Sequence, residues 1–286
     1  KEEVMKLPEV PEIKSGQALA KVVIADSKAG WADSVKTLMG SLYDGQNLYF
    51  DYSDIRPEGA RLNTMGGRAS GPQPLVKLHD FIRETMHNAQ GRKLTTLEAH
   101  DICNQIAEIV VVGGVRRSSQ ISLSDLDDDD LRHAKEWPFP IKRAMANNSA
   151  VFREQPSAAD FLVEWGALAK SGTGERGIFN LEAAQNRAPS RRYAPKIQGT
   201  NPCGEIMLRD MEFCNLSEVV VRADDDLDTL LDKVETATWL GVIQATFTDF
   251  PYLRKEWKKN CDVERLLGVS LTGQMDNPSI LTSECL

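Results

Sequence analysis

The sequence is poor in the features that mark secreted and membrane-spanning proteins. Its 286 residues include five cysteines, an odd number, and no two of them form a CxxC pair. This excludes a secreted disulfide scaffold and a zinc ribbon, and it favours a cytoplasmic location with reduced thiols. The longest apolar run, residues 106–115, is interrupted by Glu108 and two glycines. It is far shorter than the roughly 20 residues of a membrane-spanning helix, and no signal peptide is visible.

Positive charge is also scarce. The chain has 34 lysines and arginines against 42 aspartates and glutamates, for a net charge of −8. Such an acidic chain is a poor general binder of nucleic acids or membrane surfaces, so we expect neither as a partner. A local site for an anion such as a nucleotide needs only a few donors and stays open. The 41% hydrophobic and 27% charged residues are ordinary for a globular protein.

The two ends of the chain carry no start or stop signal. It begins with Lys1 rather than Met and ends at Cys285-Leu286 without a helix cap or a polar tail. We therefore expect the chain to be a segment of a longer polypeptide.

Strand-like and helix-like segments alternate along the chain. Apolar and alternating stretches predict strands at 21–25, 48–52, 121–123, 147–152, 177–179 and 219–221. Helical spacing predicts helices at 26–43, 74–89, 97–110 and 227–248, with Thr95 or Thr96 as the N-cap of the third. This order predicts an α/β fold with much parallel pairing.

Several polar motifs have both an ordinary and a functional interpretation. Arg116 and Arg117, in a glycine-rich turn, would suit a phosphate, but surface arginines more often make solvated ion pairs. The acidic run 127–130 lacks the alternating spacing of a calcium loop and is better interpreted as a helix N-terminus. No histidine stands near a cysteine in a ligand pattern, so we predict no metal site.

The stretch Gly199-Thr-Asn-Pro-Cys-Gly-Glu carries the most chemical information. Pro202 restricts the backbone and Gly204 permits a tight turn, so Cys203 between them would lie on a rigid loop tip. Asn201, Cys203 and Glu205 are spaced two apart, and in an extended backbone residues at this spacing point the same way. The pattern predicts an amide, a thiol and a carboxylate that converge on one ligand.

This trio would suit a sugar. The amide and the carboxylate could bridge a vicinal diol, and the thiol would then face a ring carbon, where it is useful only as a radical. Cys214 follows Cys203 by eleven residues, and a strand out and back would bring the two thiols together. A second thiol offers two-electron reduction through disulfide formation.

The residues 201–206 (NPCGEI), followed by 213–217 (FCNLS), resemble the active-site segment of ribonucleotide reductases. The likeness is greatest to the adenosylcobalamin-dependent class II enzymes, in particular the monomeric ribonucleoside-triphosphate reductases. Supporting motifs cover nearly the whole chain: 26–33 (DSKAGWAD), 55–61 (IRPEGAR), 66–72 (GGRASGP), 114–118 (GVRRS), 146–152 (ANNSAVF), 174–180 (GERGIFN) and 268–273 (GVSLTG). Each motif is weak alone, but their order is specific.

The resemblance implies roles for the residues of the loop. Cys203 would be a thiyl-radical cysteine, on a finger loop inside a ten-stranded α/β barrel, that takes the 3′ hydrogen of a ribose. Glu205 would be the base on the 3′ hydroxyl, Asn201 its hydrogen-bonding companion, and Cys214 one member of the redox pair that reduces the 2′ position. Further contacts to the substrate are expected from Gly204, Asn148 and Ser149.

The resemblance also implies a division of the chain. Residues 1–110 would form a lobe that binds a deoxynucleotide effector and mimics a dimer partner, and residues 111–286 a partial α/β barrel that carries the finger loop. The effector-binding residues would be Arg61, Gly66, Gly67, Arg68 and Ser70. The loop 66–71 would report the identity of the effector to the substrate base.

The expected partners follow from the same resemblance. They are a ribonucleoside triphosphate as substrate, a deoxynucleotide as effector, and thioredoxin or another dithiol as reductant, with the protein a monomer. The cofactor would be adenosylcobalamin, held by residues beyond Leu286. The second redox cysteine has no counterpart here, because the family carries it upstream and Cys103 lies in the middle of a predicted helix.

Two alternatives from other functional classes stay open. One is a nucleotide-binding regulatory fragment without catalysis, which the suspected truncation favours. The other is a metal-sensing or redox-sensing protein that uses Cys203 and Cys214, although the missing CxxC pair and histidine ligands count against it.

Overall fold

A computed structural model describes residues 1–14, 21–62, 66–110 and 119–280 of the chain. The sequence-based hypotheses for Arg116, Arg117 and Cys285 lie outside these described residues. Within them, no helix has the length and the apolar character needed to cross a bilayer.

Helices and strands alternate, as the sequence predicts. The helices are α1 (Glu2–Met5), α2 (Lys28–Tyr43), α3 (Gln73–Asn88), α4 (Thr96–Ile109), α5 (Asp129–Arg132), α6 (Ala158–Ser171), α7 (Leu181–Asn186), α8 (Leu227–Ala245) and α9 (Lys255–Glu264). The strands are β1 (Lys21–Val23), β2 (Tyr49–Asp51), β3 (Gln120–Ser124), β4 (Ala146–Phe152), β5 (Gly177–Asn180), β6 (Ile197–Thr200), β7 (Met207–Arg209), β8 (Asn215–Val220) and β9 (Leu267–Thr272).

Most strand pairs are parallel. Strand β1 pairs with β2, the order β3-β4-β5 forms a three-stranded sheet, and β8 pairs with β9, all in parallel. Parallel neighbours need a crossover connection, and helices α2, α6 and the pair α8–α9 lie in these connections. Only β6 and β7, among the described strands, pair antiparallel. The predicted α/β fold class is therefore confirmed.

The chain divides into two compact units. Unit 1 comprises residues 1–183 and 201–203, and unit 2 comprises residues 184–200 and 204–286. The predicted boundary near residue 110 concerns function, an effector lobe against a partial barrel, and it stays a prediction.

Local sequence signals explain where the helices begin. Ser27 caps α2 by accepting the Gly30 backbone N–H at 3.0 Å. Thr95 and Glu98 form a capping box at the start of α4, which confirms Thr95 as the N-cap. Asp128 caps α5 by accepting the Leu131 N–H, so the acidic run does form a helix N-terminus.

One apolar cluster organises the first part of unit 1, which we call the amino-terminal region (residues 1–110). Its buried members come from strand β2, from helices α2, α3 and α4 and from the segments before and between these elements: Val10, Ile13, Ile24, Leu38, Leu42, Phe50, Ile55, Leu75, Leu78, Ile82, Met86, Ala89, Leu94 and Ile102. His79 is buried among them, and it hydrogen-bonds to Ser34 (3.1 Å) and Tyr52 (2.8 Å). This histidine is therefore structural.

Unit 2 has a smaller apolar cluster. Val219 and Val221, at the end of β8, pack with Leu230 and Ala237 of α8. The same unit buries four charged side chains, Arg192, Arg209, Glu212 and Glu264, and these side chains are at most 7% exposed. Its interior therefore depends on ion pairs as well as on apolar contacts.

Candidate active site

Cys203 lies on the connection of an antiparallel hairpin. In unit 2, strands β6 and β7 pair with Ile197 opposite Arg209 and Thr200 opposite Met207. Residues 201–206 join the two strands. Cys203 therefore lies on the loop between β6 and β7.

The backbone of this connection is a turn. Pro202 and Cys203 lie in the turn, and Gly204 has φ of 89°, in the left-handed region that favours glycine. The extended backbone that we predicted for 201–205 is therefore wrong, because the proline and glycine bend the chain instead of letting it run straight. The spacing of Asn201, Cys203 and Glu205 cannot by itself make their side chains converge.

The tip residues Asn201–Cys203 are part of unit 1. There the Asn147 side-chain amide donates a hydrogen bond to the Pro202 carbonyl, with Nδ2 and the oxygen 2.7 Å apart. The Cys203 side chain is exposed. Strand β4 therefore supplies an anchor for the turn that carries the thiol.

Asn147 is a residue that the sequence analysis missed. Side chains alternate along a strand, and on β4 Ala146, Asn148 and Ala150 are buried whereas Asn147 is exposed. The alternation between small buried residues and polar residues could have identified Asn147 rather than Asn148 as the amide on the open face.

Asn148 is placed on the buried face of β4. Its Oδ1 lies 3.2 Å from the His100 Nε2 of α4, and its backbone N–H donates to Glu175 Oε2 at 3.0 Å. Its Nδ2 is buried without an acceptor among the described residues. Ser149 follows on the other face and is half-buried. Substrate contacts by Asn148 and Ser149 stay predictions.

A buried ion cluster supports the three-stranded sheet. Glu164 of α6 accepts hydrogen bonds from Arg176 (2.6 Å) and Arg132 (2.8 Å), and Arg176 also donates to Ser124 Oγ at 2.8 Å. Burial by itself would raise the pKa of Glu164, but the hydrogen bonds from both arginines hold it below its usual value. The carboxylate is therefore charged and joins α6 to the edges of β3 and β5.

Gly204, Glu205 and Cys214 belong to unit 2. Cys214 directly precedes β8 and is half-buried, whereas Glu205 is exposed. Because Cys203 and Cys214 belong to different units, their proximity stays a prediction.

Cys214 lines a cavity of about 180 Å³ within unit 2. The other lining residues come from the start of β8 and from helices α8 and α9 with the segments that follow them: Phe213, Asn215, Ala245, Phe247, Thr248, Phe250, Cys261, Arg265 and Leu266. We call this space the thiol cavity, because it brings together two of the five cysteines.

A charged cluster holds the residue two positions before Cys214. Glu212 is buried, accepts the Arg209 backbone N–H at 2.9 Å and lies 3.5 Å from Arg192 Nη2. Both arginines also pair with Glu264 of α9. Burial raises the pKa of Glu212. The cluster thus ties hairpin β6–β7, the approach to Cys214 and helix α9 together.

The predicted effector-binding loop forms an exposed, paired loop in the amino-terminal region. Arg61 and Arg68 face each other across an antiparallel bridge, and the Arg68 guanidinium donates to the Gly59 carbonyl at 3.0 Å. Gly66 and Gly67 have φ of 70° and 85°, a conformation that favours glycine. The remaining predicted residue, Ser70, is half-buried.

A second feature of this region could receive an anion. The N-terminus of α2 follows the carboxyl end of β1, and Arg56, after β2, pairs with Asp26 at 2.6 Å. A β-carbon on Gly30 would lie 2.3 Å from the Ala25 carbonyl oxygen, so only glycine permits this close approach. Helix N-termini at the carboxyl ends of parallel strands are common sites for phosphate groups.

The comparisons with known proteins find similar proteins over most of the chain. Residues 9–86 match the family model of the B12-dependent ribonucleotide reductase insertion domain. The chain is 32% identical to the adenosylcobalamin-dependent ribonucleoside-triphosphate reductase of Lacticaseibacillus paracasei over 92% of its own length. It is 34% identical to the enzyme of that name from Lactobacillus acidophilus over 88% of its length.

The match covers most of this chain but only part of each relative. The chain spans about a third of the length of these curated relatives, 36% and 35% respectively. Among solved structures, it is similar to the crystal structure of a B-12 dependent (class II) ribonucleotide reductase. The TM-score is 0.72 at 25% identity, over 99% of this chain and 44% of that one. These comparisons confirm the predicted resemblance: over most of its length, the chain is similar to class II, adenosylcobalamin-dependent ribonucleotide reductases.

Proposed function

We propose that the chain is the segment of an adenosylcobalamin-dependent ribonucleoside-triphosphate reductase that carries the radical cysteine and the effector lobe. The observation that carries the proposal is the exposed thiol of Cys203 on the turn of hairpin β6–β7, within the motif that the family uses for its radical. The similarity to relatives of that name over nine tenths of the chain supports it.

The fold proposed for the complete enzyme is a ten-stranded α/β barrel with hairpin β6–β7 as its finger loop. Helices α6 and α8 have exposed apolar side chains, including Trp165 (54%) and Trp239 (61%). Exposed apolar faces of this kind favour contacts with further protein surface. The rest of a barrel would cover them.

We propose that residues outside this chain hold the cofactor. Pockets for small organic ligands usually measure about 300–1,000 Å³, whereas the thiol cavity measures about 180 Å³ and has two thiols and several aromatic side chains in its wall. It does not fit a cobalamin. In the proposed enzyme, a radical reaches the Cys203 sulfur from a cofactor that other residues hold.

The proposed reaction begins with that radical on the Cys203 sulfur. The Cys203 sulfur takes the hydrogen atom from C3′ of the ribose, and Glu205 takes the proton of the 3′ hydroxyl, which Asn201 orients. The 2′ hydroxyl leaves as water. Cys214 and a second thiol outside this chain supply two electrons and two protons and become a disulfide. Glu205 then returns its proton to the 3′ oxygen, and Cys203 returns its hydrogen atom to C3′, which restores the radical.

The effector is proposed to bind in the amino-terminal region. A deoxynucleoside triphosphate would place its phosphates at the N-terminus of α2, where the helix dipole favours negative charge. Arg61 and Arg68, with Gly66, Gly67 and Ser70, would form the loop that responds to its base. The family-model match over residues 9–86 supports a role for this region distinct from catalysis.

The remaining partners complete the proposal. The substrate is a ribonucleoside triphosphate, with Gly204, Asn148 and Ser149 as contacts, and thioredoxin or another dithiol is the reductant. The enzyme is proposed to act as a cytoplasmic monomer that binds neither nucleic acid nor membranes and supplies deoxynucleotides for DNA synthesis.

A regulatory role without catalysis is the second candidate. The chain spans about a third of its relatives, and the family-model match lies wholly within the lobe proposed to bind the effector. Under this hypothesis the chain binds deoxynucleotides but reduces none.

The test compares turnover with binding. The longer polypeptide that carries this segment is incubated with adenosylcobalamin, a ribonucleoside triphosphate and a dithiol, and deoxynucleotide is measured by chromatography. We expect product, complete loss in Cys203→Ser with effector binding unchanged, and near-normal turnover in Cys103→Ser, a matched change of an exposed thiol on α4. Turnover by the Cys203→Ser protein would refute the radical assignment. Effector binding without any product would favour the regulatory role.

A further inference from the structure

The thiol cavity of unit 2 brings Cys214 close to a cysteine to which the sequence analysis gave no function. The Sγ of Cys261, on α9, accepts the backbone N–H of Phe213 at 3.4 Å. Phe213 is the residue directly before Cys214, and consecutive Cα atoms are about 3.8 Å apart. The side chains of Cys214 and Cys261 both line the cavity.

The two thiols differ in their access to solvent. Cys214 is half-buried, whereas Cys261 is only 7% exposed. Burial raises the pKa of the Cys261 thiol, and the hydrogen bond from the Phe213 N–H offsets part of this effect. A reagent from solvent therefore meets Cys214 first, and Cys261 is placed to attack a sulfur that is already inside the cavity.

The walls of the cavity hold both cysteines in position. Phe213 stacks on Trp257 with ring centroids 4.3 Å apart and meets Phe250 edge-on at 5.2 Å. At the end of α9, the Arg265 backbone N–H donates a hydrogen bond to the Cys261 carbonyl at 2.9 Å. The segment that ends at Cys214 is thus packed against the helix that carries Cys261.

We propose that Cys214 and Cys261 form a reversible disulfide across this cavity, with Cys261 as the resolving thiol. The oxidant is a small-molecule disulfide such as oxidised glutathione. The Cys214 thiolate attacks it, which forms a mixed disulfide and releases one glutathione thiolate. The Cys261 thiol then loses its proton to solvent and attacks the Cys214 sulfur, which releases the second glutathione thiolate. Two protein thiols lose two electrons and two protons, and one oxidised glutathione becomes two reduced molecules.

The disulfide would join the start of β8 to α9 and take Cys214 out of any other thiol chemistry until a dithiol reduces it. This device does not depend on the proposed reductase activity. It would apply equally to a chain that only binds nucleotides.

The test uses the 286-residue chain. After brief exposure to oxidised glutathione, remaining thiols are alkylated, and the digest is searched by mass spectrometry for a peptide pair joined through Cys214 and Cys261. We expect this pair in the unmodified chain and in Cys103→Ser, and its disappearance after dithiothreitol. In Cys261→Ser, Cys214 should keep its glutathione, whereas in Cys214→Ser the buried Cys261 should stay unmodified.

Other outcomes would overturn the proposal. One is a disulfide that joins Cys214 to Cys203, Cys103 or Cys285 instead, and another is a stable glutathione adduct on Cys214 of the unmodified chain. Far-UV circular dichroism checks that each variant is folded, and Cys261→Ala replaces Cys261→Ser if the serine is not tolerated. If neither variant folds, the presence or absence of the linked pair in the unmodified chain decides.

Discussion

The amino-terminal region and unit 2 are stabilised in different ways. In the amino-terminal region, one continuous apolar cluster spans two strands and three helices, and its central members, Leu38, Leu78 and Ile82, are fully buried. In unit 2 the apolar cluster is small, and the buried carboxylates of Glu212 and Glu264 pair with two arginines. The first interior depends on buried apolar area and the second on buried ion pairs, in which Arg209 Nε and Glu212 Oε1 have no hydrogen-bond partner among the described residues.

The two kinds of interior should respond differently to substitution. An apolar cluster tolerates changes at its surface, so the exposed loop that holds Arg61 and Arg68 can project from it without loss of the core. A network of buried charges restricts the positions of its side chains, because each buried carboxylate needs hydrogen-bond donors at defined distances and angles. Such a network can hold the residues before Cys214 in one arrangement. Four changes test whether the two interiors are stabilised in these different ways.

The largest effect is expected from the charged interior. Glu264→Gln removes one negative charge from between Arg192 and Arg209, and breaking a buried pair costs about 3–5 kcal/mol. Urea unfolding measures the loss of stability, and hydrogen exchange should show that the amides of unit 2 lose protection. The matched control is Asp262→Asn on the same helix, whose ion pairs with Lys258 and Arg265 are exposed and should matter little. Equal midpoints for the two variants would contradict a stabilising role for the network.

A cavity in the apolar interior should lower the free energy of unfolding nearly as much as Glu264→Gln does. Leu78→Ala removes a fully buried side chain, and such changes cost about 2–5 kcal/mol. The lost protection from hydrogen exchange should lie in helices α2, α3 and α4. Val23→Ala, at a side chain that is 54% exposed, is the control and should change the unfolding midpoint little. If Leu78→Ala weakened unit 2 as strongly, the two interiors would not be separate.

The third change concerns pH. Burial lowers the pKa of His79 from 6.5 to about 4, so the folded state keeps the neutral ring that Ser34 and Tyr52 hold. The unfolded chain takes up this proton near pH 6.5. The stabilisation is therefore fully present above pH 6.5 and is lost as the pH falls to about 4, by about 3 kcal/mol.

Urea midpoints between pH 7 and pH 4.5 measure this loss. The dependence of the urea midpoint on pH should weaken in His79→Gln and persist in His133→Gln, which changes an exposed histidine outside the apolar cluster. A pH dependence that is the same in both variants would assign the acid sensitivity to other groups.

The smallest effect is expected at the start of α4. Thr95→Ala removes the side-chain oxygen that accepts the Glu98 N–H at 3.1 Å, at a cost of about 1 kcal/mol. Thr95→Ser keeps the oxygen and should keep most of the stability. The measurement is the unfolding midpoint, and a serine variant as weak as the alanine variant would point to the lost methyl group instead of the cap.

Local features could be predicted from the sequence, and contacts between distant residues could not. Thr95 and Glu98 identify the start of α4, because both partners of the cap lie within one turn. The hairpin that carries Cys203 follows from the proline and glycine beside it. The pairing of Arg192 with Glu264 joins residues 72 apart, and neither has a neighbour in sequence that signals the other. The anchor from Asn147 to Pro202 spans 55 residues and was missed for the same reason.

The alternation of strands and helices, the cap of α4 and the order of the motifs around Cys203 can be read from the sequence alone. These depend on the side-chain periods of helices and strands and on residues within a few positions of one another. Tertiary packing determines that Asn148 is buried while Asn147 is not, and that Cys261 shares a cavity with Cys214. Burial and through-space contact are properties of the packed chain, and no local pattern encodes which distant side chain will fill the neighbouring space.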